Sequence, residues 1–180
     1  EDRLSPVDVA GLTSGVTAIS AGPDYSCAVT DAGLMCWGEN GIGDLGLGIE
    51  TDQLAPIDPV GLSGGVEYIA AGHGGTCAVQ SDGRLLCWGV NSSQQLADGT
   101  DVDRDLPTEV RGLPKGVQTV AIGGAHICAL TEAGAVWCWG ANYSGQLGNE
   151  SIKLFGGPVA VTGLESGVKA IAAGEGHACA

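Results

Sequence analysis

The chain has 180 residues, 32 of them glycine and only 16% charged, a composition that calls for many turns and argues for an all-β chain. Seven basic against 21 acidic side chains leave a formal charge of −14, which excludes the cationic footprint needed for DNA, RNA or an anionic membrane surface. No apolar run reaches the length of a membrane span and no basic-led leader opens the sequence, so insertion into a bilayer is not expected; Glu1 at the start is read as the result of processing or cutting.

Internal repetition governs the rest of the reading. Gly-Val pairs begin at Gly15, Gly65, Gly116 and Gly167, in steps of 50, 51 and 51 residues. Cys27, Cys77, Cys128 and Cys179 keep the same interval, and Cys-Trp-Gly recurs at Cys36, Cys87 and Cys138. A prolyl segment precedes each unit, at Pro6, Pro56, Pro107 and Pro158. The units are therefore 15–64, 65–115 and 116–166 with a partial unit 167–180, and 1–14 is read as the outer-strand segment of a preceding unit. Four strand-like pieces per unit predict a β-propeller of four-stranded antiparallel blades, with 1–180 as one partial propeller domain.

Within a unit, the first piece is Val16 to Ala21 and its copies, Val66 to Ala71, Val117 to Ile122 and Val168 to Ala173. Its apolar residues stand three apart, as a helix would place them, but about seven residues between glycines are too few for a stable helix and normal for a buried strand. The small residues Ser20, Ala70, Ala121 and Ala172 suit a crowded position where units converge. The second and third pieces form a hairpin whose register follows from the cysteines. Pairing Cys27 with Cys36, Cys77 with Cys87 and Cys128 with Cys138 sets Ala28 against Met35, Ala78 against Leu86 and Ala129 against Trp137. A small residue thus meets a large one in every copy, as cross-strand packing prefers. Turn-rich loops follow each Trp-Gly, over 39–54, 90–106 and 141–157.

Two segments carry a family resemblance: Val120-Ala121-Ile122-Gly123-Gly124-Ala125-His126 and Trp139-Gly140-Ala141-Asn142-Tyr143-Ser144-Gly145-Gln146-Leu147-Gly148. In fixed order and at this period they resemble the regulator of chromosome condensation repeat family, along the whole chain. The resemblance implies a seven-bladed propeller, of which this chain is a part, the remaining blades coming from a longer parent. It also implies three kinds of role: guanine-nucleotide exchange factor for a small GTPase, recognition platform in a larger protein, or secreted inhibitor of β-lactamase. Tyr25 and Gly75 stand where the family has histidine, Ser93-Gln94-Gln95-Leu96-Ala97 departs from Gly-Gln-Leu-Gly, and His177 restores the pattern. If the family geometry holds, the loops after the first strands share one face, which makes Asp24, Tyr25, His73, Ala125, His126, Glu175 and His177 the candidate interaction residues.

Cross-strand placement brings Cys27 and Cys36, Cys77 and Cys87, and Cys128 and Cys138 into disulfide range, with Cys179 left unpaired. Such bonds imply an oxidising, extracytoplasmic or secreted setting; buried free thiols in a cytosolic protein are the alternative. Cys-x8-Cys and Cys-x9-Cys lack zinc-site spacing, so no metal is assigned. His126 and His177 are read chiefly as turn-ordering rings that hydrogen-bond the neighbouring loop. The acidic run Asp98 to Asp105 fails the calcium-loop pattern at Leu106 and Gly112 and is read as a solvated loop. Asn91, Asn142 and Asn149 head glycosylation tripeptides, although turn chemistry accounts for the first two. Trp37, Trp88 and Trp139 are read as packing between sheets. No nucleophile, carboxylate pair or cofactor motif stands out, so the expected function is a non-enzymatic protein-protein interaction scaffold. An exchange-factor-like regulator and a repetitive cell-surface adhesive module are the alternatives.

Overall fold

The computed structural model describes residues 4–62, 64–151 and 153–180. β1 (Val16–Ala21), β2 (Tyr25–Thr30), β3 (Gly33–Gly38) and β4 (Gln53–Ile57) pair in sequence order as one antiparallel sheet. The same meander is repeated by β5 (Val66–Gly72), β6 (Gly75–Gln80), β7 (Leu85–Gly89) and β8 (Arg104–Glu109), and by β9 (Val117–Ile122), β10 (His126–Thr131), β11 (Val136–Ala141) and β12 (Phe155–Ala160). β13 (Ala172–Ala173) and β14 (Ala178–Cys179) form a two-stranded start of a fourth blade. β1, β5, β9 and β13 lie beside one another, so they are the inner strands of successive blades and β4, β8 and β12 are the outer ones. The chain is thus the predicted propeller of four-stranded antiparallel blades. Of the expected outer-strand segment 1–14, residues 4–14 form no strand and 1–3 lie outside the described residues. The physical reason is pairing: β4, β8 and β12 each bond to a Cys-Trp-Gly strand, and among the described residues no such strand lies beside 4–14.

The hairpin registers follow the cysteines, with Cys27 opposite Cys36, Cys77 opposite Cys87 and Cys128 opposite Cys138. The three-residue apolar spacing of the inner strands also finds its cause. Pairing slips by one residue between Val16 and Ala18, between Val66 and Tyr68, and opposite Thr131 and Leu130, where Val117 and Thr119 are the partners. A bulge of this kind resets the alternation, so Val66 and Ile69 enter one apolar layer together, as do Val117 and Val120.

The core lies between the blades rather than within one sheet. One layer joins Cys27, Val29, Leu34 and Cys36 of the first blade to Ile69, Ala78 and Trp88 of the second. The next joins Cys77, Val79 and Cys87 to Val120, Ala129 and Trp139. Alternation along a strand explains the repeating theme: each blade turns its cysteine pair toward the following blade and its alanine and tryptophan toward the preceding one. Trp88 and Trp139 are fully buried. Their indole Nε1 groups donate to the carbonyls of Asp44 and Gln95 on the preceding blades, both at 2.7 Å. Trp37, with no sheet before it, is only half-buried.

Candidate interaction face

The candidate residues sit where each inner strand turns into the hairpin. The turns are closed by one repeated main-chain hydrogen bond, Gly22 N to Tyr25 O (2.9 Å), Gly123 N to His126 O (2.8 Å) and Gly174 N to His177 O (2.9 Å). A ring lies directly over each turn glycine. A Cβ built on Gly22 would stand 2.2 Å from Tyr25 Cε1, and on Gly123 2.2 Å from His126 Cε1. Glycine is therefore required because the ring occupies the place of its side chain.

The ring does not act as the sequence reading expected. His126 is fully buried, yet neither of its nitrogens has a hydrogen-bond partner. It orders the turn by filling space rather than by bonding to it. Burial lowers its pKa, and although the main chain of His177 approaches the ring, that effect is smaller; the imidazole is neutral at physiological pH. His177 is exposed. Tyr25 carries out the polar role instead. Its hydroxyl donates to Gly75 O at 2.9 Å and accepts from Gly72 N at 3.3 Å, bridging the first blade to the second. Burial, together with the charge of Asp44, pushes the Tyr25 phenol well above its usual pKa. Gly75 is its complement: at φ 112° a Cβ there would lie 2.3 Å from Trp88 O. The two departures from the family histidine thus meet across one blade junction.

The long loop after each Trp-Gly forms the rest of the face, and one asparagine per copy organises it. Asn40, Asn91 and Asn142 accept from the main-chain N–H of Leu45, Leu96 and Leu147 at 2.9, 2.9 and 3.1 Å. Their amides donate across the loop, for example to Ile49 O, Thr100 O and Ser151 O. Asn91 and Asn142 are buried by this bonding, which withdraws them as sugar acceptors. In the acidic loop, Asp98 binds the Arg104 guanidinium at 2.7 Å and Asp103 accepts from Asn91 N at 2.7 Å. Those carboxylates hold the loop in shape.

Two adjoining clefts open on this face. The smaller, about 210 Å³, is lined by Asp24, Tyr25, Glu39, Ile42, Asp44 and His73 among others. The larger, about 610 Å³, brings His73, Ala125 and Glu175 together with Ile122, Tyr143 and Gln146. Of the sequence candidates, Asp24, Tyr25, His73, Ala125 and Glu175 are gathered in the clefts, His126 is buried, and His177 lines neither. Asp44, Glu39, Ile42 and Tyr143 were not foreseen. The signal for Asp44 was present in the repeat: it stands where the other copies have Gln95 and Gln146. Those glutamines accept from Ser93 N and Ser144 N at 2.8 and 2.9 Å, whereas Oδ1 of Asp44 is buried without a partner. Burial, with Glu39 and Asp103 nearby, raises its pKa to about 6.

The disulfides lie under this face, Cys27–Cys36, Cys77–Cys87 and Cys128–Cys138, each with a Cα separation of 4.1 Å. Cys179 is free and exposed.

Comparison with known proteins agrees with this architecture. The regulator of chromosome condensation (RCC1) repeat matches residues 31–79, 82–130 and 133–180, and a second form of the repeat matches 66–95 and 117–146. The first frame starts in or next to one hairpin and ends in the next blade, so the matched unit straddles the layer between blades. The E3 ubiquitin-protein ligase HERC2 of Homo sapiens is 35% identical over 157 residues, 85% of this chain and 3% of that protein. The mitochondrial RCC1 domain-containing protein RUG3 of Arabidopsis thaliana is 32% identical over 148 residues, 77% of this chain and 33% of its own length. This chain therefore spans a third or less of these relatives. Prp20p of Saccharomyces cerevisiae, studied for its binding to Gsp1p and histones, superposes with a TM-score of 0.71 at 20% identity, over 89% of this chain and 42% of that one. The yeast RCC1 (Prp20) bound to Kap60 gives 0.74 at 22% identity, over 89% and 40%; at such identity the likeness speaks for the fold. By the repeats matched along most of its length and by its blade architecture, the chain belongs to the RCC1 repeat family.

Proposed function

We propose that the chain is a non-enzymatic protein-recognition scaffold that engages its partner through the inner-strand turns and the long loops beside them. The observation that carries this reading is the division between its repeated and unrepeated side chains. Cys, Trp, Asn and Leu recur at the same buried positions in successive blades. The turn residues Asp24-Tyr25, His73-Gly74-Gly75, Ala125-His126 and Glu175-Gly176-His177 differ from copy to copy around a continuous cleft. A rigid scaffold with variable loops is the arrangement on which recognition surfaces are built. A photoreactive residue placed at His73 or Glu175 should crosslink to a partner in native extract, and one placed at Asp82 on a hairpin tip should not. Equal capture from both positions overturns the reading.

The setting we propose is extracytoplasmic, on the strength of three cross-strand disulfides. Alkylation without reductant should label Cys179 alone; labelling of six further thiols in protein from its native source overturns this. The uncovered face of the first sheet, where Ile19 is 78% exposed, is the place we assign to a further blade of the same ring.

A further inference from the structure

The two clefts share Gly72 and His73, so they form one channel along the ends of the inner strands. Among the described residues its carboxylates are Asp24, Glu39, Asp44 and Glu175, and neither cleft is lined by lysine or arginine. Arg84 and Lys115 border a cleft at the hairpin-tip end, Arg111 another beside the outer strands, and Arg104 is paired with Asp98. Apolar side chains stand beside the carboxylates, Ile42 in the first cleft and Ile122 and Tyr143 in the second. Tyr143 is 60% exposed and held edge-on by Phe155 at 5.1 Å. Gly72, Gly123, Gly124 and Gly174 are among the residues that line the second cleft.

Asp44 adds an independent observation. The glutamines at its position in the other blades accept hydrogen bonds from their own loops, whereas the protein's own donors leave Oδ1 of Asp44 unanswered. The first cleft is therefore lined by a carboxylate one of whose oxygens, Oδ1, is sealed from solvent and unbonded among the described residues.

We propose that this channel docks an extended, cationic segment of a partner protein, with lysine or arginine side chains at the Asp24–Glu39–Asp44 end and at Glu175, and aliphatic groups between them. The proposal rests on the loop-face reading above and adds the chemistry of the partner. An extended peptide turns successive side chains to opposite sides, so a segment alternating basic and aliphatic residues presents one kind to the carboxylates and the other to Ile42, Ile122 and Tyr143. An anionic segment would meet like charge, and complementary potentials at such a rim govern encounter and discrimination among partners. Salt weakens attractions of this exposed kind.

The test uses the whole chain and a short labelled peptide alternating lysine with alanine, beside matched peptides in which glutamate or serine replaces lysine. Binding is followed by fluorescence polarisation at low and high salt, and the contact surface by amide chemical shifts. The lysine peptide should bind in preference to the other two, lose affinity with salt, and shift the amides of Gly72, His73 and Gly124. The exposed, near-isosteric changes D24N with E39Q, and E175Q, should each weaken it by about tenfold or less, while D82N with E109Q at the opposite end leaves it unchanged. Circular dichroism of each variant separates lost binding from lost fold. Absence of lysine-peptide binding, equal binding of the glutamate peptide, or equal loss from D82N with E109Q overturns the proposal. If it fails while crosslinking from His73 persists, only the cationic chemistry is wrong; if crosslinking also fails, the loop-face reading falls with it.

Discussion

At the residue scale, Asp44 is the position where this sequence gives up local stability. Its main-chain carbonyl is part of the frame, accepting from Trp88 Nε1 and from Thr76 Oγ1 at 2.7 Å each. Its side chain is half-buried, with Oδ1 sealed, and burial lifts its pKa to about 6 from an ordinary 3.8. The sign follows from linkage. Well below pH 3.8 the group is protonated in folded and unfolded chains alike and costs nothing. As pH rises through 6 the unfolded chain ionises more readily, so stability is lost and the loss is complete above that pH. Allowing for the solvent that still reaches the group, the loss amounts to about 1–2 kcal/mol. Asp44→Gln, which restores the acceptor seen at Gln95 and Gln146, should raise stability at pH 7.5 by about that amount and by much less at pH 4. Urea denaturation of both proteins at the two pH values checks this, and a gain that is the same at both refutes the assignment.

At the scale of the element, the loop after each Trp-Gly tolerates a poor sequence because its asparagine holds it. At two left-handed positions of this loop the first and third blades have glycine, Gly43 and Gly145 at φ 78°, and Gly46 and Gly148 at 71° and 60°, whereas at a third the third blade has Glu150 at 58°. The second blade keeps the same backbone with Gln94 at 58° and Ala97 at 47°. A side chain in that region costs about 1 kcal/mol. Gln94→Gly and Ala97→Gly should therefore each stabilise the chain by about 0.5–1 kcal/mol, since glycine's greater freedom when unfolded cancels part of the gain. The pair should be close to additive only if the loop stays fixed by Asn91. Midpoints of chemical denaturation measure both effects, and a loss on either change would show that the side chain, not the backbone, sets the loop.

At the scale of the whole molecule, stability comes from layers between blades, so a residue's worth depends on whether a neighbour covers it. Trp139→Ala removes a fully buried indole and its bond to Gln95 O and should cost about 3–5 kcal/mol. Trp37→Ala, at the uncovered face, should cost less than half as much in this chain. Parallel thermal and urea denaturation distinguishes the two, and equal costs would mean that Trp37 is packed in solution against something this chain supplies. The repeat, the hairpin registers and the facing cysteines could all be read from residues, because a period-two alternation and a repeat of about fifty leave few ways to bury Cys, Ala and Trp together. The inner strands were harder, since the bulge beside Val16, Val66 and Val117 disguises a strand as a helical spacing. The channel was beyond the sequence altogether. It is assembled from turns one repeat apart, Asp24 with His73, and two repeats apart, His73 with Glu175, and no local pattern states that Glu39 and Asp44 fold back toward them. The sequence by itself determined the kind of blade and the order of stacking, because these depend on short-range alternation and the repeat. Only the tertiary structure decided which side chains face one another across the blades, left Asp44 without a partner and withdrew His126 from the surface, because long-range packing sets solvent access and charge environment.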